Sequence, residues 1–242
     1  MKSKNFFGEG ISSIEGTDWK FNKNVSNNFD KHVRQSIPMY DEIQKYICSL
    51  SEWFIRDDAL IYDLGCSTGE TPKNLYQKFP KKKFKYVGYD LSSEMIKIAK
   101  KKNIKNKKKT IFKVGDINKV IYKKNSDLFL SILTFPFLNT QKRLQLYKKI
   151  YKSLKHGGSL IFVDKIRSSN SNFEDIFNQI YFDFKIENKL NHAQVLNKSK
   201  SIRSSMQLFE LSEIKNFLYR SGFKKTEVFF RWYNFVGIVA VK

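Results

Sequence analysis

The chain has 242 residues, 41% hydrophobic and 28% charged, with 45 Lys and Arg against 23 Asp and Glu, a formal net charge of +22. That is enough apolar content for one large core, and no stretch of about 18 apolar residues offers a membrane span. Two cysteines, Cys48 and Cys66, form no CxxC pair, and the N-terminus has no apolar secretory segment. A disulfide framework is excluded, and a reducing, cytoplasmic setting is expected.

The excess charge invites a nucleic-acid reading, but arginine supplies only seven of the 45 basic residues, and arginine is the side chain that reads phosphates and bases with a bidentate fork. The lysines come with many Asn, Ile and Phe, as an AT-rich genome would encode. The densest runs, 81–85 and 100–109, flank expected strands, where solvated loops belong. A solvated basic face is the favoured reading, with an RNA substrate as the alternative.

After a polar start, residues 19–39 read as an irregular or helical lead-in, and Pro38 opens a new segment. Ile43, Tyr46, Ile47, Leu50 and Phe54 recur at helical spacing and predict a helix over 41–56. Strands are predicted at 60–64, 85–89, 110–114 and 128–133, with helices between them, including 71–78. A helix over 141–154 follows, and His156-Gly157-Gly158 reads as its stop before a fifth strand, 159–164. This alternation predicts a parallel sheet covered on both faces. Residues 167–207 break the rhythm with an aromatic-rich helix (173–186) and a polar helix (193–206), a cap too short for its own core. A last helix, 211–220, leads to two runs, 226–230 and 235–241, joined tightly as an antiparallel hairpin at the sheet edge. The expectation is a single α/β domain with seven strands, doubly wound, carrying an N-terminal helical segment (1–57) and an inserted helical cap (167–207).

The most telling stretch runs from Ala59 through Asp63, Gly65, Cys66 and Ser67 to Gly69: an apolar strand, a turn of small residues, then a helix. Such a turn is expected to put backbone N–H groups and a positive helix end beside a ligand. Asp90 closes the second strand 25 residues beyond Gly65, where a carboxylate can accept both ribose hydroxyls of a nucleotide; the plainer role is to cap the helix that Leu91-Ser-Ser-Glu-Met95 opens. Asp116, after the third strand, could take an adenine amine with Ile117 packed on the ring, or could be an ordinary loop aspartate. Three acids at the carboxyl ends of three successive strands lie where open α/β sheets bind ligands.

The turn Gly65-Cys-Ser-Thr-Gly69-Glu does not fit the dinucleotide pattern G-x-G-x-x-G. Its literal match to G-x-S-x-G would make Ser67 a hydrolase nucleophile, but the later histidines, His156 and His192, stand in a helix stop and a polar cap. The pattern D-x-G-x-x-x-G, with Asp90, Gly115-Asp116-Ile117 and Leu154-Lys-His-Gly157-Gly158, resembles the class I S-adenosylmethionine-dependent methyltransferases and implies their Rossmann-like sheet.

A resemblance over nearly the whole chain is to the bacterial carboxy-S-adenosylmethionine synthases. It rests on Trp19-Lys-Phe-Asn-Lys-Asn-Val25, Phe29-Asp30, Arg34-Gln-Ser-Ile-Pro38, Tyr40, Asp63-Leu-Gly-Cys-Ser67, Asp183-Phe-Lys185, Ser221-Gly-Phe223 and Tyr233-Asn-Phe235. Those enzymes use prephenate to carboxylate the cofactor's methyl carbon, for tRNA wobble-uridine modification. The resemblance implies cofactor contacts from Tyr40, Gly65, Asp90, Asp116 and Ile117, no metal, and a homodimer. With the strand-end residues, the expected cofactor set is Tyr40, Asp63, Gly65, Cys66, Ser67, Gly69, Asp90, Leu91, Asp116, Ile117 and Ile132.

Two positions depart from that family. Ile132 stands where it carries a cofactor-contacting asparagine, and Ser199 stands where the arginine of a Lys-Arg pair holds the new carboxylate. Serine cannot replace a guanidinium fork. Lys200 and Arg203 are the candidate substitutes for substrate binding, and Tyr40 and Arg203 the candidate catalytic residues. On this balance the sequence favours a methyltransferase of unassigned small-molecule or RNA acceptor, ahead of a carboxy-S-adenosylmethionine synthase and, remotely, a non-catalytic RNA-binding protein.

Overall fold

The structure, a computed structural model, describes residues 23–107, 109–203 and 205–242, with side chains from residue 29 onward except 203. The sequence signals at 1–22, Trp19 among them, therefore lie outside the described residues, as does the side chain of Arg203. Two helices, α1 (Lys23–Ser36) and α2 (Tyr40–Ser51), precede the sheet. Then come β1 (Ala59–Leu64), α3 (Glu70–Lys78), β2 (Phe84–Asp90), α4 (Ser93–Lys102), β3 (Thr110–Val114), β4 (Ser126–Ile132), α5 (Thr140–Ser153) and β5 (Leu154–Lys165). The chain closes with α6 (Ser171–Glu187), α7 (His192–Arg203), α8 (Leu211–Arg220), β6 (Lys225–Trp232) and β7 (Phe235–Val241).

Seven strands form one sheet in the order β3-β2-β1-β4-β5-β7-β6. β1 to β5 are parallel, and β7 runs antiparallel between β5 and the edge strand β6. Alternate residues of the central strands feed two cores, as the pleat requires. Tyr62, Leu64, Phe129 and Phe162 pack on one face with α5 and α8, and Ile61, Leu128, Leu130 and Val163 on the other with α2 and α3. The strand order reverses at β1, whose neighbours are β2 and β4, so the crevice outside the carboxyl ends of β1 and β4 is the topological switch point where such sheets bind ligands.

Two boundaries move. The first helix pattern ends at Ser51, not 56, because Phe54 and Ile55 both turn back to the Ser51 carbonyl and drop Ile55 into the core. His156-Gly157-Gly158 does not stop a helix but lies inside β5, where Leu154 already pairs with Ser126. Gly157 has φ of 74°, a conformation glycine adopts without strain, and the register slips there by a bulge. The cap is α6 and α7. Its aromatics pack on the hairpin: Phe177 meets Tyr233, Tyr181 meets Phe235 and Phe184 meets Trp232, at ring separations of 5.2, 5.1 and 5.6 Å. The cap is thus docked on the β6–β7 hairpin, and Tyr181 donates to the Ser36 carbonyl at the end of α1 (2.8 Å).

Candidate active site

At Gly65, where β1 ends, φ is +83° and an added Cβ would collide with the Thr134 hydroxyl on the loop after β4, so the turn tolerates no side chain. Ser67 (φ 48°) and Gly69 (φ 72°) complete it, and α3 starts at Glu70. Four N–H groups of this turn, which the sequence placed beside a ligand, bond within the protein. Gly65 and Cys66 donate to the Tyr89 carbonyl (2.8 and 2.9 Å), Gly69 to the Cys66 carbonyl (3.0 Å), and Ser67 to Asp90 Oδ2 (3.0 Å). Those four donors hold the turn to the end of β2.

Asp90 accepts from Ser67 N through one oxygen and from Ser92 N (2.9 Å) through the other, tying the β1 turn to the end of β2. It does not cap α4; Ser92 does, through the Met95 N–H. Burial raises the Asp90 pKa, opposed by these backbone bonds. Asp63 is 2% exposed and takes the buried Tyr86 hydroxyl, so it braces the turn from inside the sheet. Burial, and then the nearby Asp90 charge, push its pKa up to about 7. Asp116 takes the Asn118 N–H (2.9 Å), as a loop aspartate does, and stays half-buried at the strand ends.

Cys66 is buried with its sulfur against Gly88, and its thiol pKa is driven well up by burial. Leu91 is 75% exposed, while Ile117 is buried in the core with Tyr62 and Tyr122. Ile132 ends β4 and packs partly buried against the α2-side core. Tyr40 opens α2, its hydroxyl accepting from Gln44 (3.2 Å) and its ring under the Arg34 guanidinium (5.6 Å). Lys200 is exposed on α7. Ser67 lies at the carboxyl edge of the sheet, whereas His156 is exposed near the start of β5, at the opposite edge, and His192 packs on Phe182 of the cap. Among the described residues neither of these histidines pairs with Ser67, and the hydrolase reading falls.

A polar clamp from α1 escaped the sequence reading. Asp30 accepts from Thr68 (2.6 Å) and Lys102 (2.5 Å), Lys102 also reaches Glu70 (2.9 Å), and Arg34 pairs with Asp41 (2.9 Å) and Glu70 (3.5 Å). The helix is thereby pinned over the turn. Only the i,i+4 spacing of Asp30 and Arg34 hinted at a shared face; apart from Asp41, seven residues on, their partners lie 36 or more residues away.

A family model described as Methyltransferase domain matches residues 61–158. Human N-acetylserotonin methyltransferase, solved with its cofactor, superposes with a TM-score of 0.61 at 16% identity, over 91% of this chain and 56% of that one. Fold and site define the class: an S-adenosylmethionine-dependent transferase with the methyltransferase sheet. The carboxy-S-adenosyl-L-methionine synthase of Staphylococcus epidermidis is 35% identical over 225 residues, 93% of this chain and 97% of the relative. That of Methylococcus capsulatus is 33% identical over 227 residues, 93% and 94% of the two chains. The chain belongs to the carboxy-S-adenosyl-L-methionine synthase family.

Proposed function

We propose that the protein makes carboxy-S-adenosylmethionine, taking the carboxyl group from prephenate. The observation that carries this reading is similarity along the full length of relatives bearing that name, cap and N-terminal helices included, and not along the cofactor domain alone. S-adenosylmethionine brings a sulfonium whose positive charge makes its methyl carbon reactive. In this proposal Asp90 holds the ribose, Asp116 and Ile117 border the adenine, and the carbonyl side of the Gly65 turn faces the cationic amino-acid end. Asp63 acts from beneath by fixing Tyr86 and the turn; Cys66, Ser67, Gly69, Leu91 and Ile132 form the walls, and Tyr40, held by Gln44 and Arg34, closes the site. The step balances within the two bound molecules. Prephenate breaks the bond to its ring carboxyl group and loses its hydroxyl as the ring becomes aromatic, and the methyl carbon gives up one proton to that hydroxide as water. A carbon–carbon bond forms between methyl and carboxyl carbons, so holding the two molecules together supplies much of the rate.

The departures at Ile132 and Ser199 favour a second reading, methyl transfer to an acceptor of a different kind. Mass spectrometry of ligand released from the purified protein separates the two: carboxylated cofactor supports the synthase, and plain S-adenosylmethionine with no turnover of prephenate supports the methyltransferase. With the synthase reading go a cytoplasmic location, a homodimer and a product destined for tRNA wobble-uridine modification, none of which needs the chain itself to bind RNA. A tRNA complex that survives Asp90→Ala and moderate salt would instead favour a direct RNA role.

A further inference from the structure

Each crossover between parallel strands carries a helix except one. α3, α4 and α5 follow β1, β2 and β4, whereas residues 115–125 return from β3 to β4 without a helix. With the strands in the order β3-β2-β1-β4, that return crosses β2 and β1 on the face that α5 and α8 cover elsewhere. Ile117, Val120 and Tyr122 of the loop pack with Tyr62, Val87 and Tyr89, and Lys149 of α5 donates to the Asn118 carbonyl (2.7 Å). The cover ends there. Ile111 and Lys113 of β3 pair with Val87 and Tyr89 and share their face, yet both are exposed, as is Lys85 two residues before Val87. Ile111 is 48% exposed, and Ile121 on the loop 91%. The opposite face of β3 is closed, with Phe112 in the core beside Ile96 and Ala99 of α4. Among the described residues, a strip of sheet two strands wide is left with no helix over it.

Charge gathers round the same strip. Residues 81–125 hold 16 lysines, no arginine and three acids, so under a fifth of the chain carries 13 of its 22 excess charges. A codon bias alone would spread that excess evenly. Lys85 and Lys113 stand on the strip, and Lys119 and Lys123 are exposed on the loop beside it, the Lys123 N–H held by the Tyr62 hydroxyl (3.2 Å). Among the described residues none of these four ammonium groups meets a carboxylate, while Asp90 is engaged in the β1 turn and Glu94 with Lys97. Lys85 and Lys113 lie four residues and one strand apart, about 14 Å at strand and sheet spacing. Charges so placed do not converge on one small anion; they suit a chain of anions. Between them the surface is flat, with Ile111 exposed and Tyr89 half-buried, which suits unstacked bases laid on a sheet. A duplex would call for an element that protrudes into a groove. Lysine without an arginine fork contacts phosphate, not base edges. Single strands long enough to cover the strip are, in a cell, chiefly RNA.

We propose that the uncovered face of β2 and β3, with Lys85, Ile111, Lys113 and Lys123, is a docking surface for single-stranded RNA, held through its phosphates without sequence preference. This goes beyond carboxyl transfer and does not rest on it. Binding directed at phosphate releases counterions and falls steeply with salt.

The test is fluorescence anisotropy of a labelled single-stranded RNA of about 20 nucleotides, between about 50 and 200 mM salt. Four proteins are compared: wild type, the face variant Lys85→Gln/Lys113→Gln/Lys123→Gln, the same three positions changed to Arg, and a control. The control, Lys45→Gln/Lys215→Gln/Lys225→Gln, removes equal charge from exposed positions on α2, α8 and the opposite edge strand β6. Wild type should bind with a Kd of about 10 μM or below at the lower salt. The face variant should lose about tenfold or more there, with a log–log salt slope shallower by about 2, because three fewer single-strand phosphates are neutralised. The Arg protein and the control should stay within about threefold of wild type, and all four should share one Tm and one affinity for S-adenosylmethionine. No binding by wild type at the lower salt, or equal losses in the face variant and the control, would overturn the docking surface. So would an oligomer that Ile111→Asp dissociates while RNA affinity holds, which would give the face to a second copy of the chain. Absence of RNA binding from a protein that forms carboxylated cofactor sinks this surface alone, and face-dependent RNA binding by a protein that forms none sinks the synthase reading alone.

Discussion

Asp90 shows how much one side chain can organise. Its two oxygens hold Ser67 N–H and Ser92 N–H, joining the β1 turn to the β2 end, the place proposed above for the ribose. Asp90→Ala should therefore lower S-adenosylmethionine affinity by about 10- to 100-fold in a calorimetric titration; an affinity within twofold of wild type would remove Asp90 from the site. Gly65→Ala should do more, since it strains φ and drives a methyl into Thr134. A loss of about 1–3 kcal/mol in thermal unfolding, with cofactor binding abolished, is the expected outcome. Asp63 adds a pH signature. Its pKa stands at about 7 in the fold against 3.8 as its ordinary value, so its contribution is fullest below pH 3.8 and is lost as pH rises through about 7. Asp63→Asn, which still accepts from Tyr86, should thus gain on wild type in Tm between pH 4 and 8; parallel curves would contradict the assignment.

At the scale of elements, the ends that local chemistry sets were legible in the chain. The strand over Thr110–Val114, the helix over Leu211–Arg220 and the strand over Phe235–Val241 fall where alternation, spacing and turn residues put them. Where pairing decides, the sequence misled: a glycine pair after a helical run looks the same whether it ends a helix or bulges a strand. The α1 clamp was hidden for a related reason, because its partners come from α1, α2, α3, α4 and the β1 turn. Burial alone would raise Asp30 and Glu70, but hydrogen bonds and charge from Lys102 hold both below the usual carboxylate range. Their stabilisation is accordingly present at neutral pH and lost as pH falls through those lowered values. Lys102→Ala should weaken cofactor binding several-fold at pH 7; an affinity within twofold of wild type would dismiss the clamp as a determinant. Deeper in the fold, Arg143 of α5 and Asp164 of β5 form an ion pair with no exposed side-chain surface, ringed by Phe135, Tyr147 and Phe209. Arg143→Met alone should cost about 3–5 kcal/mol in denaturant unfolding, and adding Asp164→Leu should recover most of it. An additive double variant would show that the pair does not act as a unit.

Across the whole molecule, charge is segregated. A net +22 surrounds a β1 turn braced by two acids, Asp63 and Asp90. The acids were readable because they stand at the ends of strands that the chain's apolar runs mark out. Segregation of this kind suits a reaction that begins with a cationic cofactor and ends with a carboxylate beside it. The measurement that bears on this most directly is incubation of the purified protein with S-adenosylmethionine and prephenate labelled in its ring carboxyl group, followed by mass analysis of the cofactor. The account predicts a cofactor heavier by one labelled carboxyl group, formed in step with loss of prephenate. Cofactor recovered without label, while prephenate persists, would contradict it.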